Sequence, residues 1–416
     1  MDKIKGILNL KNINLENILC LFIILCPILD IVSFAYRNIF NTSLSPSTVI
    51  RPLIPVIVMI YLFFKKDKKF KIYSFIGGLI YLVYAVLHLL VFKTAVTGSS
   101  YSTIIHEAQY LINYSFMILN LFIYLYVFAR NSKGEKLAKS VLIANVIYVL
   151  SIYIAIFTKT SSSTYIEGMG HKGWFESGNS IGSILILSLF INMRYIKDKK
   201  MRKIVIPMIA LEAIFLTTLL GTRVGLLGFI VVVLTYAFAE VVSSLIRKNR
   251  INKKTILGSI ATIATILLVV IAVGSTTIQR RIHLQEIEKN IVDNSKKQEA
   301  HITGSLLDIK EKIENNTLED GYMNDAQKQS IMDLYHIANK MKIKNNDQRM
   351  QQLIYNMSLI KNQKNTIYIL FGNGYMANYR ELVLEMEIPA FLFNFGIVRF
   401  NIILYAIFMH LDLWSI

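Results

Sequence analysis

Five short stretches of this 416-residue sequence hold the side chains best suited to chemistry. The first is Gly221-Thr222-Arg223, a tight turn between two apolar runs. A guanidinium there stands at the level of lipid head groups, and its fork suits phosphate oxygens; the plainer reading is a snorkelling arginine that marks a helix end. Arg349, near the start of the amphipathic stretch Asp347–Ile360, supplies a second cation or is simply a solvated surface residue. In Phe371-Gly372-Asn373-Gly374-Tyr375 two glycines around Asn permit positive φ and a turn that exposes backbone N–H groups, although a G-x-G is as often a turn and nothing more. Glu385-Met386-Glu387 directly precedes Ile388-Pro389. Partial desolvation raises such carboxylates toward useful base strength, while acids before a helix are also ordinary dipole partners. The last stretch runs from Gly170 to Asn179. Its His171 is a base or a merely exposed loop residue, and its Trp174 is a ligand contact or an interfacial anchor.

Equally informative is what the chain lacks. It has no Walker A sequence, no H-E-x-x-H, no cysteine pair at zinc spacing, no G-x-S-x-G and no aspartate-rich metal motif. No cofactor and no metal are expected. The acids within the apolar runs are Asp30, Glu212 and Glu240, too few for the intramembrane ionic relay of a coupled transporter.

The elements that must position these residues follow from composition. Hydrophobic residues make up 54% of the chain and charged residues 17%, with mean hydropathy +0.47. That is too little polar surface for a soluble protein, and 20 glycines and 2 cysteines exclude collagen-like and disulfide-stapled folds. Runs long enough to span a bilayer as helices lie at Ile18–Tyr36, Val49–Phe64, Ile72–Phe92, Ile112–Ala129, Val141–Phe157, Ile181–Met193, Ile204–Leu220, Val224–Leu245, Ile256–Val273 and Ile388–Met409. They are continuous rather than alternating, so a barrel is excluded. The expected fold is an all-α integral membrane protein of about ten transmembrane helices.

Lys and Arg alternate between the loops. Twenty-three fall on one side, and five (Arg37, Lys93, Lys159, Lys172 and Arg223) on the other. The positive-inside rule then places both termini in the cytoplasm and all five chemical stretches outside. The net charge of +18 becomes anchoring charge facing anionic membrane lipid, not a nucleic-acid footprint. The first run is too long for the apolar core of a cleavable signal peptide.

Three parts are expected: a nine-helix transmembrane bundle over 1–273, an external helical loop or cap over 274–387, and a last transmembrane helix with a short cytoplasmic tail over 388–416. The insert carries 15 Lys and Arg against 15 Asp and Glu, so its export violates no charge rule. Ile331, Leu334, Ala338 and Met341, then Met350, Leu353, Ile354, Met357 and Ile360, recur in it at helical spacing. Asn345, Asn346 and Asp347 are suitable N-caps for the second set. These apolar faces are expected to lie on the membrane surface or on the bundle.

The order of these features resembles the O-antigen ligase / O-antigen polymerase superfamily of bacterial membrane glycosyltransferases. Gly173-Trp174-Phe175 through Asn179 entering a mid-chain helix, Thr222-Arg223 starting a later one, Arg349 upstream of Gly372-Asn373-Gly374, and Glu385 or Glu387 before a helix that contains Gly396 carry the likeness. It implies a GT-C-like bundle in the bacterial plasma (inner) membrane that polymerises or ligates undecaprenyl-diphosphate-linked glycans at the outer face. The implied partners are a polyprenyl-diphosphate-linked glycan donor, a glycan or lipid-glycan acceptor, and a chain-length regulator or flippase. The reaction implied is inverting and metal-independent. Arg223 and Arg349 would hold the diphosphate and Glu385 or Glu387 would be the base, with Asn179, Thr222, Gly372, Asn373, Gly374, His171 and Trp174 lining the substrate. Ligases of the family have a His where this chain has its Glu pair, which favours the polymerase-like or Gram-positive branch. One or two further helices are also implied. With Arg399 intruding into the last run, at a cost of about 2.5–3.5 kcal/mol at mid-membrane, a truncated C-terminus is expected. The rival function is a lipid-linked oligosaccharide flippase or other polysaccharide transporter.

Overall fold

The computed structural model describes residues 14–42, 45–65, 68–95, 101–128, 134–165, 168–246, 276–283, 286, 305–318, 323–343, 348–375, 382, 384, 389–399 and 401. The elements, in order, are α1 (Leu15–Phe40), α2 (Pro46–Lys65), α3 (Lys68–Ala95), α4 (Tyr101–Phe128), α5 (Gly134–Phe157), a ribbon of β1 (Ser162–Ser163) and β2 (His171–Gly173), α6 (Gly178–Met193), α7 (Arg202–Ile214) and α8 (Arg223–Ile246). After these come α9 (276–283), α10 (Ser305–Glu314), α11 (Asp325–Met341), α12 (Gln348–Gln363), α13 (Ile367–Phe371) and α14 (389–399).

The protein is an all-α integral membrane protein. Among the described residues six helical spans are long and apolar enough to cross a bilayer, in α1 to α5 and in α6 with the turn after it, Gly178–Ile196. Their outward faces are apolar too: Leu21, Leu25, Ile28 and Val32 on α1, and Phe75, Leu79, Val83, Val86 and Leu90 on α3, are exposed. Contiguous apolar exterior of this extent requires a lipid solvent. The seventh and eighth expected runs form α7 and α8. The ninth lies outside the described residues, and the tenth is described only over 389–399 and 401.

Local sequence sets the helix ends. Asn14 accepts the N–H groups of Glu16 and Asn17 to start α1, and Asn41 closes it in the left-handed conformation at φ 53°. Ser177 caps α6 by accepting the N–H of Ser180, so the helix begins before its apolar run does. α7 runs on into a π-helical turn, Phe215–Leu219, where the Thr217 and Thr218 hydroxyls donate to the carbonyls of Ala213 and Ile214. That widened turn ends the helix at Leu220 and delivers the chain to Gly221-Thr222-Arg223.

Contacts divide the chain into two compact units, Met1–Leu53 with Tyr126–Asn290, and Ile54–Leu125 with Ile291–Ile416. The core of the first is made by α5, α6, α7 and α8, through Leu142, Ile152, Ile181, Leu185, Leu216 and Phe229. Its two ends differ. At one, Lys136 of α5 meets Asn17 of α1, and Glu135 pairs with Arg194 after α6. At the other, Arg37 near the end of α1 pairs with Glu176, and the β ribbon folds over Leu220 and Gly221.

In the second unit, α11 and α12 bury Ile331, Leu334 and Ala338 against Ile354, Tyr355 and Leu359. Their apolar faces thus pack on each other, where the spacing alone pointed to the membrane or the bundle. Asn324 and Gln327 form a reciprocal capping box on α11. The residues expected to cap α12, Asn345 to Asp347, lie outside the described residues.

Arg399 of α14 is buried, as an arginine in an apolar run must be if it is to escape lipid. It donates from Nη2 to the carbonyl of Leu111 at 3.2 Å and to Ser115 Oγ at 3.3 Å, and lies 4.2 Å from the ring centroid of Phe395. Carbonyl, hydroxyl and aromatic faces replace part of the water that its guanidinium loses, while Nε and Nη1 have no partner among the described residues.

Candidate functional site

Thr222 and Arg223 occupy the start of α8. Thr222 is buried and its hydroxyl accepts the N–H of Gly225 at 3.0 Å, which caps the helix; Arg223 follows at the first helical position and is exposed. A helix N-terminus carries partial positive charge, so a cation there is placed against the dipole. Among the described residues no acidic partner for Arg223 offsets that placement, whereas an anionic ligand would.

A second helix start lies beside it. Cβ atoms built at Gly178 and Gly182 of α6 would come within 3.4 and 3.7 Å of the Thr222 side chain, so the first turns of α6 and α8 touch. Two partly capped helix N-termini and one guanidinium therefore share this end of the first unit, all carrying positive charge.

The β ribbon fixes the turn. Thr164 donates to the carbonyl of Leu220 at 2.8 Å, and the Tyr165 hydroxyl donates to that of Gly221 at 3.2 Å. Gly170, at φ +73°, lets the ribbon approach so closely that a Cβ would stand 2.5 Å from the Leu220 oxygen. His171 is exposed on β2, Asn179 is exposed in the first turn of α6, and the Trp174 indole donates to Thr160 Oγ1 at 2.8 Å. These sequence-predicted residues belong to the same unit as Arg223, and Gly170 and Gly178, which flank His171 and Trp174, touch the turn directly.

One cation here was not singled out from the sequence. Arg280 of α9 lies 3.4 Å from the ring centroid of Tyr165, and its Nε has no hydrogen-bond partner among the described residues. Thr276 and Thr277 of the same helix donate to the carbonyls of Thr218 and Thr222. Arg280 is thereby a second guanidinium at the Thr222-Arg223 turn. Its sequence signal was the Arg280-Arg281 pair just beyond the ninth apolar run.

The second unit holds the other predicted residues. Arg349 is exposed in the first turn of α12. Gly372, Asn373 and Gly374 are buried, and the N–H groups of Asn373 and Gly374 donate to the carbonyls of Phe393 and Asn394 at 3.0 and 2.9 Å. The turn's N–H groups are therefore taken up by α14 rather than left open. A Cβ at Gly372, φ +81°, would stand 2.2 Å from the Asn394 oxygen, so this contact requires glycine. His88 and Glu107, both wholly buried, hold the same turn. His88 Nδ1 donates to the Phe371 carbonyl at 2.7 Å, and Glu107 Oε2 accepts the Tyr375 N–H at 2.7 Å. His88 Nε2 and Glu107 Oε1 are hydrogen-bonded to each other at 2.9 Å. Glu385 and Glu387 lie outside the described residues.

A cavity of about 460 Å3 opens beside the first turn of α6, lined among others by Asp30, Arg37, Arg51, Lys172, Glu176 and Phe175. It lies within the first unit. Among the described residues, no group of three or more His, Cys, Asp and Glu side chains is placed to hold a metal ion.

Comparison with protein-family models matches residues 12–414 to the family described as O-antigen ligase like membrane protein. No curated protein and no solved structure matches the chain.

Proposed function

Because the chain belongs to the O-antigen ligase-like membrane proteins, a family of glycan-transferring membrane enzymes, we propose that it polymerises or ligates undecaprenyl-diphosphate-linked glycans at the outer face of the plasma membrane. The observation that carries this reading is Arg223, an exposed guanidinium held against a helix dipole where the starts of α6 and α8 meet. Such a place suits the diphosphate of a lipid-borne donor, whose phosphates lie at head-group depth.

The chemistry follows from where charge develops. The hydroxyl oxygen of an acceptor sugar forms a bond to the donor's anomeric carbon as the bond from that carbon to the diphosphate oxygen breaks. The electron pair leaves on the diphosphate, and the hydroxyl proton passes to a carboxylate, Glu385 or Glu387. Attack opposite the leaving group inverts the anomeric centre. Arg223, with Arg280 and Arg349, stabilises the departing charge more in the transition state than in the ground state, which is what accelerates the step. Asn179, His171 and Trp174 line the glycan, Thr222 caps the helix that carries Arg223, and the Gly372-Asn373-Gly374 turn holds α14 in its own unit. The helical insert excludes water, the competing nucleophile. The Glu pair favours polymerisation over ligation.

The test is replacement of Arg223, and separately of Arg349, by Ala in cells that lack the native gene. Each variant, present in the membrane at normal level, is expected to lose long surface glycan. If both assemble it normally, the proposed mechanism is wrong. Purified protein in detergent should also lengthen glycan from a lipid-linked donor, which a transporter cannot do without a sealed bilayer.

A further inference from the structure

The cavity beside α6 is not part of the anion site just described, yet it shares a helical turn with it. Gly178 faces Thr222, whereas Ser177 and Ser180 line the cavity. Asp30 lies seven residues before Arg37 on α1, so the cavity reaches about 10 Å down from the end of the bundle. Its volume of about 460 Å3 falls in the range of small-molecule sites, about 300–1,000 Å3.

Its lining has a definite chemical character. Each cation is already paired. Arg37 meets Glu176, Arg51 donates to Asp30 Oδ2 at 2.7 Å, and Lys172 donates to the Glu176 carbonyl at 2.8 Å. Tyr148 donates to the same Asp30 oxygen at 2.8 Å. A free phosphate would have to break these pairs. A neutral polyol would not, because Asp30 Oδ1 and Glu176 Oε2 keep their lone pairs open among the described residues, and each guanidinium keeps N–H groups to donate. Asn38 and Ser162 add donors and acceptors, and Phe34 and Phe175 supply aromatic walls. Fixed carboxylates and guanidiniums facing hydroxyls, with ring faces for apolar C–H groups, are what a sugar ring needs.

We infer that this cavity is a glycan-binding subsite that seats a sugar of the acceptor or of the donor repeat, on the face of α6 opposite Thr222. The inference rests on the glycan-transfer reading above. Asp30 and Glu176 accept hydroxyl protons, Arg37 and Arg51 donate to hydroxyl or ring oxygens, and Phe34 stacks on the sugar's apolar face. Here the Asp30–Arg51–Tyr148 set serves as a preformed hydrogen-bonding edge.

Saturation-transfer NMR tests this on the full chain in lipid nanodiscs, since glycosidic detergents would compete. The probe is a set of oligosaccharides released by mild acid from the host's own surface glycan, with inorganic pyrophosphate as the anionic control. Transfer to sugar ring protons is expected. Asp30→Asn should weaken binding by about tenfold, the value of one charged hydrogen bond, and Phe34→Ala should weaken it through loss of the stacking face. Asn38→Ala, which breaks no ion pair, should weaken it by less and guards against a folding artefact. Absence of transfer, transfer unchanged by all three variants, or displacement by pyrophosphate would overturn the inference. Kinetics separate the two sources. A KM raised for acceptor alone in Asp30→Asn assigns the subsite to the acceptor, and one raised for donor alone assigns it to the donor repeat.

Failure here is distinguishable from failure of the function. If oligosaccharides do not bind while elongation still depends on Arg223, the subsite is wrong and the transferase stands. If they bind and the wild-type chain elongates nothing, the transferase reading falls.

Discussion

Polar groups are used in opposite ways in the two units. At the ribbon end of the first unit, backbone contacts hold Arg223 exposed, and the cavity's charges are paired but keep open donors and acceptors. In the second unit His88, Glu107 and Arg399 are wholly or almost wholly buried, and each bonds inside the fold. Three carbonyls of α14, those of Phe393, Asn394 and Phe395, turn out of the helix to accept from Asn373, Gly374 and the Tyr84 hydroxyl. There the polar groups hold a loop to a helix whose backbone is interrupted at Gly396, φ +78°. The contrast teaches that an ionisable residue in an apolar run is not by itself evidence of catalysis. What matters is whether its bonds are closed inside the fold or left open at a mouth.

Substitutions can break that comparison. The largest effect is expected from Glu107→Ala, which leaves His88 and the Tyr375 N–H without their buried acceptor. Breaking such a pair costs about 3–5 kcal/mol, so the purified variant should melt far below the wild type or fail to accumulate. A variant that melts normally but loses activity would move His88–Glu107 into the catalytic machinery. Arg223→Ala comes next, with transfer slowed about 10²–10³-fold and an unchanged melting temperature. Arg223→Lys should recover part of the rate, because a point charge keeps the attraction but not the fork. Gly372→Ala follows. Its φ of +81° and the 2.2 Å approach to Asn394 predict a stability loss of about 1–3 kcal/mol, read in the same melting experiment.

The sequence disclosed the ribbon end of the first unit better than the second unit's core. Arg223 stood out because a Gly-Thr-Arg turn between two apolar runs can be nowhere but a membrane interface. Apolar runs likewise located the six long helices, because lipid forces hydrophobicity to be local. Arg280 and the cavity were not legible. Each depends on contacts between distant segments, such as Tyr165 with Arg280 or Asp30 with Arg51, which leave no periodicity behind. Glu107 was not legible for another reason. α4 begins at Tyr101, well before the apolar run at Ile112, so hydropathy does not mark Glu107 as a helical residue facing His88. The Gly372-Asn373-Gly374 motif was visible as a turn. Whether its N–H groups faced a ligand or α14 depended on a partner helix that spacing cannot supply.

The smallest expected effect sharpens the comparison most. Tyr355 on α12 is fully buried, and its hydroxyl has no hydrogen-bond partner among the described residues. Burial pushes this phenol well above its ordinary range, because the phenolate would lose its solvation. The sign follows. Below about pH 10 both states hold the proton and stability is unaffected. Above it the unfolded chain ionises while the folded one resists, so stability falls as pH rises toward the folded value. Tyr355→Phe removes both the alkaline loss and a hydroxyl that gains nothing from the fold. Melting curves from about pH 8 to about pH 11 should therefore be flatter for the variant, which should be at least as stable as the wild type at neutral pH. A loss of about 1 kcal/mol at neutral pH would show instead that the hydroxyl is bonded, as His88 is. The helical insert would then be held by polar closure as well as by packing, and the line drawn between open and closed polar groups would have to run through α12.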